Sequence, residues 1–274
     1  IAPPTTQAVT LQFAARAGDT DITCDTPMTG MGSSGDVELH LRDFRFYVGN
    51  VRLLDGDGDE VPVTLDTNVW QLARDGNSVA MLDFTDKGDA CTGSSKPTNT
   101  VVTGTVPVGA YTGVRFELGV PPGLNHTSTA STPSPLNNIA MAWSWQAGRK
   151  FARIESRQVT LDPVTSNPVT VNQTLHLGST GCTGGDAAHA GGVVCTGGYR
   201  PTVTFTGFDT GVDVIVADYQ ALLDGTSLAA QYSCMPNTTL GGGTNQLACD
   251  QLLAKVGLDN TGVATGVQSF LRVE

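Results

Sequence analysis

The sequence has little charge and no long apolar run. Charged residues make up 15% of the 274 positions, against roughly 25% in an average soluble domain. Most of that charge is negative, since 26 Asp and Glu outnumber 15 Lys and Arg for a net charge of −11. A surface of that sign repels phosphate backbones and anionic lipids, which argues against nucleic acid as a partner. No apolar stretch approaches the ~20 residues that span a bilayer, and residues 1–4 show neither a basic start nor an apolar signal core, so we expect a soluble or already processed chain that does not cross a membrane.

The motifs of the common hydrolases and nucleotide-dependent enzymes are missing. There is no G-x-S-x-G, no H-E-x-x-H, no Walker loop and no G-x-G-x-x-G that opens a helix. The five methionines are scattered, so a Met-rich copper shuttle is not supported either. We therefore expect that this chain is not itself an enzyme.

The six cysteines are even in number and none falls in a C-x-x-C pair. Their spacing disfavours zinc ribbons, thioredoxin-type chemistry and c-type haem attachment. Widely spaced cysteines in a loop-rich chain are typical of disulfides formed in an oxidising compartment. Many connectivities are open in principle, and proximity along the chain favours Cys182–Cys195 and Cys234–Cys249, with Cys24–Cys91 left.

Glycine and proline are abundant, with 33 and 14 residues, and they separate short runs that alternate as β-strands do. These runs are residues 9–14, 37–54, 61–65, 79–84, 99–106, 111–120, 151–155, 158–161, 169–177, 201–208 and 212–216. The alternation in 37–54 slips between Leu41 and Phe44, which indicates a bulge. Helical spacing is confined to residues 217–223 and 245–256, and the Gly-rich stretches 178–198 and 241–243 are predicted to be long loops. The pattern predicts an all-β fold, a sandwich or barrel-like single domain over residues 1–274 with disulfide-stapled loops and a few short helices.

An acidic segment lies between two of the predicted strands. Asp55, Asp57 and Asp59 alternate with glycine, and alternate carboxylates can bind Ca²⁺. Glu60 stands where the EF-hand pattern requires glycine. An acidic hairpin turn is therefore favoured, with a calcium site as the alternative.

The four histidines differ in their expected settings. His40 lies within a long strand, His126 closes a turn, and His176 ends a strand. His189 lies in a Gly/Ala-rich loop and is expected to face solvent. Neutral imidazoles brought together by a fold suit copper or zinc, while a hydrogen-bonded or surface histidine is the simpler alternative for each one.

Two of the three tryptophans lie close together, at Trp143 and Trp145. In a strand both would face the same side. The simpler alternative is that both fill core or rim volume, as aromatic residues do in most β proteins.

Several motifs follow one another along the chain and together resemble one family. They are DFRFYV at 43–48, GVP at 119–121 with LNH at 124–126, PSPLN at 133–137, WSWQ at 143–146 and HLGSTGC at 176–182. The set resembles the methanobactin-associated periplasmic copper proteins, the MbnP-like family, which includes surface copper proteins of methane-oxidising bacteria. The resemblance runs from about residue 9 to residue 195 and is vaguer beyond.

The resemblance implies a single Cu(I) held by histidines and a kynurenine. The kynurenine arises in that family by oxidation of the first Trp of the W-x-W pair by a dihaem enzyme of the MauG type. By motif, His126 is a ligand, Trp143 is the modified residue, and the second histidine is either His176 or His40. Opening the indole's five-membered ring leaves an aromatic amine and a ketone, and a few neutral nitrogen ligands suit Cu(I).

The resemblance also implies a setting and a partner. Nothing in the sequence binds haem or flavin, so the oxidant belongs to another protein, the dihaem enzyme. We expect a periplasmic or cell-surface monomer that serves copper homeostasis. Two other functions stay open: a copper-dependent redox enzyme, which needs an open coordination position and a substrate cleft, and a structural or adhesive β-sandwich without metal.

This chain departs from the family pattern at two places. Relatives carry Gly-Tyr-Lys where this chain has Gly148-Arg149-Lys150. Some relatives also carry a histidine at the position of Leu72, and if that histidine is a ligand, His40 is its candidate replacement here.

Overall fold

The structure is a computed structural model that describes residues 5–88, 91–161, 164–185, 192–235 and 245–274. Most of its regular structure is β, with strands β1 (Thr6–Ala17), β2 (Thr20–Asp21), β3 (Met28–Met31), β4 (Val37–Asp55), β5 (Glu60–Pro62), β6 (Thr64–Leu65), β7 (Gln71–Arg74), β8 (Asn77–Asp83), β9 (Val101–Pro107), β10 (Tyr111–Leu118), β11 (Ala152–Leu161), β12 (Pro168–Leu177), β13 (Thr180–Gly184), β14 (Val193–Gly197), β15 (Thr202–Thr206), β16 (Val214–Asp218), β17 (Tyr232–Cys234) and β18 (Leu271–Val273). The helices are α1 (Pro122–Asn125), α2 (Tyr219–Leu223) and α3 (Gln246–Lys255), with a 3₁₀ turn at Ile139–Met141. The predicted all-β class with a few short helices is confirmed.

The strands form two large sheets and one separate hairpin. The first sheet has the order β18-β16-β1-β9-β6, with β2 paired to β1. The second has the order β15-β10-β4-β11-β12-β17, and β4 also pairs with β3, β5 and β8. Strands β13 and β14 pair with each other in a two-stranded sheet of their own.

The two large sheets share an aromatic core. The ring of Phe13 on β1 lies 6.4 Å from that of Phe46 on β4 and 6.0 Å from that of Phe116 on β10. Phe46 and Phe116 are almost fully buried. Truncating such a ring to alanine typically costs about 3–5 kcal/mol, so this cluster is a major source of stability.

The long strand β4 contains the predicted bulge. Asp43 pairs with Glu155 of β11, whereas Leu41 pairs with the next residue, Ser156. Arg42 is therefore an extra residue in β4, at the place where the hydrophobic alternation slips. Because the bulge absorbs the offset, Leu41 before it and Phe44 after it both keep their side chains in the core.

Three disulfides link the loops, and their connectivity is the one that proximity along the chain favoured. The pairs are Cys24–Cys91, Cys182–Cys195 and Cys234–Cys249. Among the described residues, no helix is long and apolar enough to cross a membrane.

Some expectations need correction. Residues 178–198 were expected to form a long loop, but β13 and β14 form an antiparallel hairpin within them. The separate runs 151–155 and 158–161 belong to the single strand β11, because the hydrogen-bonded ladder with β12 continues through both. His189 and residues 241–243 lie outside the described residues.

The acidic segment after β4 is a hairpin turn. Oδ1 of Asp55 accepts hydrogen bonds from the backbone N–H groups of Asp57, at 3.0 Å, and Asp59, at 2.9 Å. Strands β4 and β5 pair on either side of the turn. The Asp55 carboxylate thus stabilises the acidic hairpin turn, which was the favoured interpretation of this segment.

Candidate metal centre

His126 lies directly after the short helix α1. Pro121 precedes the helix and Pro122 is its first residue, a position that suits the fixed φ of proline. The helix ends after one turn because His126 leaves helical geometry. The imidazole of His126 is 6% exposed. The turn therefore fixes a buried histidine at one end of the second sheet, beside the end of β12.

The side chain of Asn125 orients His126. Asn125 is fully buried, and its Oδ1 accepts a hydrogen bond from the backbone N–H of Arg149 at 2.8 Å. That bond fixes the amide so that Nδ2 is directed at Nε2 of His126, at 3.1 Å, and at Oγ of Ser179, at 3.4 Å. Because an amide nitrogen can only donate, Nε2 of His126 accepts and is the unprotonated ring nitrogen.

The environment keeps His126 neutral. Burial lowers the pKa of His126, and nearby backbone carbonyls of Gln146 and Trp145 only partly oppose that effect. Nδ1 of His126 is buried and forms no hydrogen bond of good geometry among the described residues. A neutral imidazole is the form that binds a metal ion.

Trp143 lies in a tight turn, with no strand around it. Its backbone N–H donates to the carbonyl of Gly148 at 3.1 Å, and the N–H of Gly148 donates to the carbonyl of Ser144 at 2.7 Å. The six-membered part of the Trp143 indole occupies the space where a side chain at position 178 would stand, so Gly178 allows the ring to approach the end of β12. Trp143 as a whole is half-buried.

His176 lies two residues before Gly178, on β12, and is buried. Its Nε2 donates a hydrogen bond to Oε1 of Glu155 at 2.6 Å, since a carboxylate accepts. The other ring nitrogen, Nδ1, is buried with no hydrogen-bond partner in the described part of the chain. A histidine whose one nitrogen is held by a carboxylate and whose other nitrogen is free has the arrangement of a metal ligand.

Electrostatics support that arrangement. Burial raises the pKa of Glu155, but hydrogen bonds from His176 and Arg153 outweigh it and bring the pKa of Glu155 down to about 2. Burial lowers the pKa of His176, and the Glu155 carboxylate opposes that change. The carboxylate is therefore ionised at neutral pH and holds the imidazole in one orientation.

His40 has a different setting. Its side chain is 41% exposed, and Nε2 lies 3.3 Å from a carboxylate oxygen of Glu38. His40, on β4, pairs with Arg157 of β11, whereas His176, on β12, pairs with Arg153 of β11. Four residues of β-strand separate those two positions by about 13 Å, so the structure does not bring His40 and His176 together.

The buried side chain of Arg149 connects the turn of His126 to its surroundings. Its guanidinium donates to the backbone carbonyls of Leu136, at 2.8 Å, Asn125, at 2.9 Å, and Thr127, at 2.7 Å. A fourth bond, at 3.0 Å, goes to the hydroxyl of Thr127. The residue that departs from the family pattern thus anchors the segment on both sides of His126.

A disulfide completes the surroundings of His126. Sγ of Cys195 lies 3.3 Å from Nε2 of His126. Across the described ranges, the one group of three His, Cys, Asp or Glu side chains compact enough for a single ion is His126, Cys182 and Cys195, whose ligand atoms lie within 4.8 Å of one another. Sequence reasoning treated this cysteine pair only as a staple and did not assign roles to Asn125 or Glu155.

Comparison with known proteins identifies the family. Residues 6–236 match the family model MbnP. The chain belongs to the MbnP family. The solved structure of MbnP from Methylosinus trichosporium is 29% identical, covers 98% of each chain and superposes with a TM-score of 0.79. A search of curated proteins gave no match. The resemblance found in the motifs is confirmed, and the match continues past residue 195, where the motifs become vaguer.

Proposed function

We propose that this MbnP-family protein is an exported copper-binding protein that holds one Cu(I) through His126, His176 and a kynurenine made from Trp143. The observation that carries the proposal is that His176, the Trp143 ring and the residue before His126 all reach residues 176–179 at the end of β12. His176 lies in that segment, the Trp143 ring packs on Gly178, and Asn125, next to His126, reaches Ser179.

The donor groups suit the metal. His126 offers its unprotonated Nε2, and His176 offers Nδ1, which has no hydrogen-bond partner among the described residues. Burial favours the neutral form of each imidazole. The amine of a kynurenine at position 143 would add a third neutral nitrogen donor. A small set of neutral nitrogen ligands is a suitable environment for Cu(I).

The choice of His176 over His40 rests on their surroundings. Glu155 fixes His176 in the manner of a carboxylate that orients a metal-binding histidine. His176 also lies two residues before Gly178, against which the Trp143 ring packs. His40 is exposed and lies about 13 Å away along β11. We therefore assign the second ligand to His176.

The modification requires another protein. Conversion of Trp143 to kynurenine adds one oxygen and removes one carbon, so an external oxidant is needed. A dihaem MauG-type enzyme is the proposed partner, and the partial exposure of Trp143 suits its modification by another protein. In this proposal the chain is the substrate of that reaction and is not an enzyme. The three disulfides suit an oxidising compartment, the periplasm or the cell surface.

The ligand set can be tested by comparing three histidine variants. Protein co-produced with a dihaem oxidase is dialysed, and its copper per chain is measured for H126A, H176A and H40A. We expect H126A and H176A to lose copper, while H40A, the matched control, keeps the parent's content. Full copper in H126A would refute the proposal, and loss in H40A with retention in H176A would move the second ligand to His40.

A further inference from the structure

The disulfide between Cys182 and Cys195 differs from the other two in its position. Its cysteines face each other directly across the β13–β14 ladder, and this hairpin pairs with neither large sheet. Both cysteines are only partly buried, as are Cys24 and Cys91, whereas Cys234 and Cys249 are buried. The Cys182–Cys195 bond is therefore less shielded from an external thiol than the Cys234–Cys249 bond.

This disulfide also lies against an unprotonated histidine nitrogen. Sγ of Cys195 is 3.3 Å from Nε2 of His126, and Sγ of Cys182 belongs to the same cluster within 4.8 Å. Two ligand atoms of one ion, with metal bonds of about 2.0–2.3 Å, lie at most about 4.6 Å apart. Nε2 is thus already close enough to share an ion with Cys195. The two sulfurs are bonded to each other and must move apart on reduction before both can bind that ion.

We propose that the Cys182–Cys195 disulfide is a redox-controlled soft-metal site, in which the reduced pair and His126 bind one Cu(I) without any need for a modified Trp143. The site shares His126 with the proposed kynurenine site, so the two are alternatives for that imidazole. Thiolates are soft ligands that select Cu(I), and imidazole accompanies them readily. In the oxidised protein the same sulfurs are bonded to each other and offer no thiolate.

The chemistry requires a thiol reductant, for which a thioredoxin-like dithiol protein or a small dithiol is the appropriate class. The dithiol breaks the S–S bond by thiol–disulfide exchange, becomes a disulfide itself, and transfers two electrons and two protons to give two cysteine thiols. Binding of Cu⁺ then displaces both thiol protons and forms two Cu–S bonds and one Cu–N bond. The ladder between β13 and β14 keeps the two thiols opposite each other after reduction.

The test uses protein made without the oxidising partner, so that Trp143 is unmodified. Cu(I) is titrated in competition with a chromogenic chelator, before and after treatment with dithiothreitol, and alkylation with peptide mapping shows which cysteines are free. We expect reduction to add one Cu(I) per chain, C182S/C195S to abolish that gain, and C24S/C91S, the matched control, to retain it. H126A should weaken the added site by more than about tenfold, since loss of a residue that only orients a metal ligand already costs that much.

Two further readouts keep the proposal falsifiable if the double variant folds poorly. In reduced wild-type protein, bound Cu(I) should protect Cys182 and Cys195 from alkylation, and Co²⁺ should give a thiolate-to-metal charge-transfer band. The proposal is overturned if reduction adds no Cu(I), if the gain persists in C182S/C195S, or if metal protects neither thiol. None of these results depends on kynurenine, so a failure here is distinguishable from a failure of the proposed function.

Discussion

Arg149 offers the sharpest prediction about how the fold positions the centre. Its buried guanidinium supplies the donors for three backbone carbonyls, those of Leu136, Asn125 and Thr127. In R149Q the shorter amide cannot reach all three, and each buried acceptor left without a donor costs about 1 kcal/mol or more. We therefore expect R149Q to lower the free energy of unfolding by about 3–5 kcal/mol.

The same substitution should also weaken copper binding. The segment 125–127 on both sides of His126 loses its anchor, while the bond from the Arg149 backbone N–H to Asn125 does not depend on the side chain. The assay is urea unfolding, combined with copper affinity measured at a temperature where the variant is folded. R115Q is a matched control, because Arg115 is 43% exposed in a surface ion pair and its loss should cost less than about 1 kcal/mol. Equal effects of R149Q and R115Q on unfolding and copper affinity would refute the reasoning.

Three further predictions concern the disulfides, the buried carboxylate and the tryptophan. The Cys24–Cys91 bond closes a separation of 67 residues, so C24A/C91A should lose about 4 kcal/mol of unfolding free energy by the chain-entropy model; a loss below about 1 kcal/mol would contradict this. Glu155 has a pKa of about 2 in the folded protein, below the ordinary 4.5, so its stabilisation is present above pH 4.5 and disappears as the pH falls toward 2. In E155Q the free energy of unfolding should therefore fall less steeply than in the parent as the pH is lowered from 4.5 toward 2. The same dependence on pH in both proteins would count against the ion-pair assignment. G178A places a methyl group where the Trp143 ring lies. In protein made without the oxidase, it should shift the tryptophan emission toward that of an exposed indole, and in protein made with the oxidase it should lower the copper content; no change in either would show that the ring is not held there.

Much of the fold could be predicted because it depends on local patterns. The alternation of hydrophobic residues indicated both the strand β4 and a bulge between Leu41 and Phe44, because successive side chains of a strand point to opposite faces of the sheet. The structure places the extra residue at Arg42. The disulfide connectivity followed from proximity along the chain. The hairpin β13–β14 was missed because its strands are rich in glycine and carry few hydrophobic residues to alternate.

The candidate centre was only partly predictable, because its supporting contacts join distant segments. Arg149 was visible only as a departure from a family pattern, since its partners are backbone carbonyls from other turns. The distinction between His40 and His176 depends on the register of β11 and on Glu155, which no local pattern reveals. Similarly, the contact of Cys195 with His126 joins residues 69 positions apart.

The central claim, that copper binding depends on a modified Trp143, is tested most directly by peptide mass spectrometry across residues 141–149 together with copper quantification. The protein is prepared with and without a dihaem oxidase. We predict a gain of one oxygen and a loss of one carbon at Trp143, which appears with the oxidase and together with one copper per chain. Protein with an intact Cys182–Cys195 disulfide and an unmodified Trp143 that nevertheless carries one copper per chain would contradict the claim.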